Sequence, residues 1–107
     1  MNNRDNSDSV NTEWNNVFEE LKTLCKEKNI EVILCTIPTT STANHEYKNA
    51  IIKSSGYRYV DIANALGADG EGAWYDGLLA SDDTHPTSRG SKVIASRMMA
   101  DVPELLG

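Results

Sequence analysis

The chain is poor in several things at once. It has two cysteines in 107 residues, and neither a C-x-x-C spacing nor a neighbouring histidine pair supports a metal site. Cys25 and Cys35 are therefore expected as free, buried small hydrophobes, a disulfide between adjacent elements being possible but unneeded. Basic residues are outnumbered, 10 against 16 acidic, for a formal net charge of −6. With no basic cluster, nothing attracts nucleic acid or anionic lipid. No apolar run approaches the ~18 residues of a membrane span, and no signal-peptide core precedes the first helix. A soluble domain is expected, its compartment unspecified. There is no G-x-S-x-G elbow to expose a nucleophilic serine. At this length the chain holds one domain with one modest core.

Residues 1–11 are rich in Asn, Asp and Ser without periodicity, and read as a frayed lead-in ahead of a single α/β domain over 12–107. Thr12 is placed to cap a helix whose apolar stripe is Trp14, Val17, Phe18, Leu21, Leu24 and Cys25. Asn29 is a suitable left-handed stop. Val32 to Ile37 is a continuous apolar run closed by Pro38, which predicts a strand buried on both faces of a parallel sheet. A second helix over 43–55 should turn Tyr47, Ala50, Ile51 and Ser54 inward and end at Gly56, leaving His45 on the surface. Tyr57 to Ile62 predicts the next strand, with Asp61 as a polar terminus or cap. A short helical piece at Asn64–Leu66 precedes a glycine-rich loop that Trp74 and Tyr75 pin down. The last helix, over 88–101, should bury Val93, Ile94, the Arg97 stem, Met98 and Val102.

The chemistry concentrates in SDDTHPTSRG, Ser81 to Gly90. Proline keeps the residue before it out of the helical region, so His85 should stand extended on a loop. A carboxylate three residues earlier, Asp82, can fold back onto Nδ1–H and leave Nε2 free as a general base. Thr87 or Ser88 then caps the final helix. Asp83 is expected to be solvated. Ser41, in the loop after the first strand, is the serine best placed to stand in for a nucleophile. Ser7 and Ser9 have neither a preceding strand nor a glycine.

From Asn29 onward, the order EVILCTIP, helix, YRYVDI, Trp/Tyr loop and D-x-x-H-P resembles the C-terminal half of the SGNH (GDSL-type) hydrolases. The resemblance covers most of the chain. It implies a partial flavodoxin-like, three-layer α/β fold with a short parallel sheet flanked by helices. It also implies that Asp82 and His85 are the Asp and His of a Ser-His-Asp triad acting on esters, with no cofactor and no metal. The family's Gly-Asp-Ser nucleophile block and its oxyanion glycine block have no counterpart here. Its Gly-x-Asn-Asp block would fall where the chain reads MNNRDNSDS, with Asn3 or Asp5 as the remnant. Two readings follow: the C-terminal portion of an ester hydrolase whose serine lies elsewhere, or a non-catalytic, self-associating remnant. Two strands are too few for a covered sheet, so homo-oligomerisation through an exposed edge is expected.

Overall fold

A computed structural model describes residues 8–41, 44–68 and 73–106. Four helices and two strands follow in the order α1 (Asp8–Glu27), β1 (Ile33–Cys35), α2 (Glu46–Ser54), β2 (Arg58–Val60), α3 (Ile62–Ala65) and α4 (Ser88–Asp101), closed by a 3-10 turn at Pro103–Leu106. The strands pair in parallel with Ile33 opposite Arg58, Leu34 opposite Tyr59 and Cys35 opposite Val60. This is a small α/β domain built on a two-stranded parallel sheet. No helix among the described residues is long and apolar enough to cross a membrane.

Helix α1 begins four residues before Thr12, which lies inside the helix rather than capping it. It ends as anticipated: Asn29 takes φ +55°, and the amides of Asn29 and Ile30 close back on the carbonyls of Lys26 and Cys25, the left-handed C-terminal motif. Its apolar stripe is only half used. Phe18 and Cys25 are buried, and Trp14 stacks on Phe18 with centroids 5.2 Å apart, but Val17, Leu21 and Leu24 are exposed.

The β1 strand is shorter than the apolar run and is not covered on both faces. Ile33 and Leu34 are half-buried, and Cys35, expected inside, is exposed. Among the described residues β1 pairs only with β2, and one edge without a neighbour cannot give Cys35 the cover its apolar context suggests.

The inward face of α2 also differs from the expected one. Lys48, Asn49 and Ile52 are buried, while Tyr47, Ala50 and Ser54 are exposed. The physical reason is Asn49, whose side chain accepts from the Ile37 amide at 2.7 Å and donates to the Ile37 carbonyl at 2.8 Å. A side-chain amide thus takes the place of a neighbouring strand just past the end of β1, and satisfying both backbone groups fixes the helix's rotation. Gly56, at φ +86°, follows the end of α2 as expected.

The core consists of Val60, Ile62, Leu66, Ala68, Leu78 and Val102, with Ile33, Trp74, Val93, Ile94 and Met98 packed against it. Asp61 caps α3 by accepting from the Asn64 amide. It also accepts from the Thr36 hydroxyl at 2.9 Å, and the same hydroxyl oxygen accepts from the Ala63 amide at 2.9 Å. These bonds tie the C-terminal ends of the two strands together.

Candidate functional site

Both strands run towards the same end of the sheet, and the candidate residues gather beyond it, where α/β folds place their sites. The loop carrying them is held at its neck. Leu79 and Pro86 form an antiparallel bridge, the Ala80 amide donates to the His85 carbonyl at 2.8 Å, and the Thr87 amide donates to the Leu78 carbonyl at 2.8 Å. Thr87 then caps α4 by accepting from the Gly90 amide at 3.1 Å, and its hydroxyl donates to the Gly77 carbonyl at 2.6 Å. Gly90 is buried against this neck, and an added Cβ would lie 2.4 Å from the Leu78 carbonyl oxygen. The glycine lets α4 approach closely enough to fasten the loop.

Within the loop, His85 Nδ1 lies 2.6 Å from Asp82 Oδ2. An ionised carboxylate only accepts, so this contact puts a proton on Nδ1, and in the neutral ring the lone pair then lies on Nε2. Asp82 Oδ1 accepts from the amides of Thr84 at 2.9 Å and His85 at 3.0 Å. The His85 amide, then its ring, then the Thr84 amide hold the Asp82 carboxyl well below the usual carboxylate range. The pair is open to solvent, with the His85 side chain 70% and that of Asp82 50% exposed. Nε2 makes no hydrogen bond to any described residue.

The other candidates are distributed differently. Asp83 adopts φ +57°, a left-handed conformation that aspartate tolerates better than most residues. It is not simply solvated, because its carboxylate accepts from the Ser41 hydroxyl. Ser41 is thereby directed to Asp83 rather than to His85. Ser7, Asn3 and Asp5 lie outside the described residues. Trp74 anchors its loop, its indole N–H donating to the Thr39 carbonyl at 2.8 Å. Among the described residues no group of three His, Cys, Asp or Glu side chains is arranged to hold a metal ion.

One residue of the site was not legible in the sequence. His45, expected on the surface, is 4% exposed, and its Nδ1 has no hydrogen-bond partner. Burial first, and the nearby Lys48 charge second, hold its pKa below the ordinary value, so the ring is neutral. Its place early in a helix, among Asn, Glu and Lys residues, suggested a surface position, yet Lys48 and Asn49 beside it are themselves buried. The only sequence signal was its place just after the loop that follows a strand's C-terminal end.

Comparison with protein-family models, with curated proteins and with solved structures finds no match to this chain.

Proposed function

We propose that the chain carries the Asp–His half of a Ser-His-Asp ester hydrolase of the SGNH type, within a partial flavodoxin-like three-layer fold. The supporting observation is the 2.6 Å contact between Asp82 and His85 Nδ1, on a fastened loop at the C-terminal end of a parallel sheet, with Nε2 unengaged. The serine and the oxyanion donors come from outside the described residues. In the reaction, Nε2 removes the proton from that serine as its oxygen adds to the carbonyl carbon of an O-acyl group, a carbohydrate acetyl ester among the candidates. The imidazolium then returns the proton to the departing alcohol. Water repeats the sequence on the acyl-enzyme, and Asp82 stabilises the charged ring in each half.

The test has two arms. The chain alone should hydrolyse a short-chain aryl ester barely above buffer and lose nothing on His85→Ala, since a triad without its nucleophile lacks the covalent route. Expressed with the polypeptide encoded immediately upstream in its gene, it should carry a serine there that a fluorophosphonate labels, with labelling reduced at least ~100-fold by His85→Ala. Robust hydrolysis by the chain alone that His85→Ala abolishes would contradict the proposal and direct the search to Ser41. Labelling indifferent to His85 would contradict it too.

A second reading, a non-catalytic module that associates with itself, draws on a different observation. The edge of β1 that has no strand neighbour among the described residues and the exposed Val17, Leu21 and Leu24 of α1 leave apolar surface that a second copy would cover.

A further inference from the structure

Two helix faces carry opposite charges that no described residue of the same copy neutralises. On α4, Arg89, Lys92 and Arg97 line an open groove of about 430 Å³. None of the three makes an ion pair with a described residue, and no carboxylate lines the groove among the described residues. The floor is apolar, from Ala65, Val93 and Ala100, with Ser96 the remaining polar side chain. In a chain with a formal net charge of −6, such a local concentration of positive charge stands out against the composition.

The opposite charge lies on α1. Glu13, Glu20 and Glu27 recur every seven residues, so they share one side of the helix, and Val17 and Leu24 fall beside them. Both apolar residues are exposed. Glu20, Leu24 and Glu27 border one surface depression. Glu19, on the same border, is already paired with Lys22 at 2.9 Å, whereas Glu13, Glu20 and Glu27 make no ion pair with a described residue. A phosphate or a polyanion would engage the cations of α4 and leave its apolar floor uncovered. An exposed apolar ridge flanked by carboxylates answers both. The spacing agrees as well: α1 rises about 10 Å from Glu20 to Glu27, and α4 about 12 Å from Arg89 to Arg97.

We propose that α1 of a second copy seats in the α4 groove, Glu20 and Glu27 against Arg89 and Arg97, with Val17 and Leu24 over Val93 and Ala100. The contact is reciprocal, α1 on α4 twice, and so closes a two-fold dimer. Guanidinium–carboxylate pairs are planar and bidentate, which fixes the register of one helix on the other. Both copies are acidic overall, but at physiological salt that repulsion is screened beyond ~8 Å, whereas the pairs act at contact. The proposal rests on the self-associating reading above, and names these helices, apart from the edge of β1, as the contact.

Sedimentation equilibrium of the whole chain at physiological salt, with circular dichroism to confirm folding, tests this through a charge swap. The native chain should be a dimer. Glu20→Lys with Glu27→Lys should weaken it at least ~10-fold, although the substitutions make the chain less acidic and so reduce the overall repulsion. Arg89→Glu with Arg97→Glu should weaken it to a similar degree. Mixing the two double variants in equal amounts should restore a dimer of near-native affinity, because each reversed face then meets its opposite at both contacts. Arg97 is half-buried; should its replacement prevent folding, Arg89→Glu with Lys92→Glu, both exposed, serves instead. A dimer indifferent to either reversal, or a mixture no tighter than its components, would overturn this interface and leave self-association standing. A native chain that stays monomeric would overturn both. Growth beyond the dimer with concentration would overturn the two-fold closure.

Discussion

Asp82 is engaged on both oxygens by its own turn, one by two backbone amides and the other by the His85 ring. This makes it an orienting group more than a stabilising one, since an exposed ion pair contributes little to folding. Its carboxyl is depressed below the ordinary value of about 4. Whatever stability it lends is present above that pH and is lost as pH falls below it, where the unfolded chain takes up the proton first. The stability gap between native chain and Asp82→Asn, measured by urea denaturation, should therefore be open at neutral pH and narrow progressively as the pH falls below about 4. A gap that widens on acidification would mean that the turn depends on another group. His45 is depressed too, so the unfolded chain binds its proton first, and stability falls as pH drops through about 6.5. His45→Phe keeps the ring's bulk and removes the unpartnered nitrogen. It should gain about 1 kcal/mol at pH 7 and flatten the acid-side decline, as read from urea midpoints across that range.

Helix α4 is the element the sequence states most completely. The residue run 88–101, its Thr87 cap and its stop before Pro103 all follow from local signals: a hydroxyl able to accept from Gly90, and a proline that cannot continue a helix. The Asp82–His85 contact was legible for the same reason, because a turn of three residues and a proline need no distant partner. Helix α2 was not. Its inward face is chosen by Asn49 reaching the Ile37 backbone, twelve residues away in sequence, and no hydrophobic period announces a polar side chain acting as a strand. His45 was hidden by the same rotation, and Cys35 because β1 has no second strand neighbour among the described residues. Gly90 is where α4 and the loop of Asp82 and His85 meet. Gly90→Ala drives a methyl group into the Leu78 carbonyl and against Pro86, so it should cost about 1–3 kcal/mol in thermal or urea unfolding. It should also loosen the loop, broadening the His85 ring signals. A neutral substitution would mean that α4 can back away without disturbing the neck.

Across the whole molecule, the described strands provide a sheet with few neighbours. The half-buried Ile33 and Leu34 and the exposed Cys35 of β1, together with Val17, Leu21 and Leu24 of α1, leave apolar surface uncovered, and among the described residues β1 has a single strand neighbour. Edges of this kind pair when a partner is available. At micromolar concentration the chain should scatter light as a dimer or larger species. A folded monomer with both edges of β1 protected from hydrogen exchange would contradict this.

His85 can serve as the proposed base only if Asp82 holds Nδ1 and Nε2 is the free nitrogen, and nitrogen NMR of the imidazole reads that directly. In the neutral ring, His85 Nδ1 should show the protonated, pyrrole-type resonance and Nε2 the bare, pyridine-type one, and Asp82→Ala should abolish that preference. A native chain in which His85 carries its proton on Nε2, or averages evenly between the two tautomers, would contradict the catalytic reading of this loop.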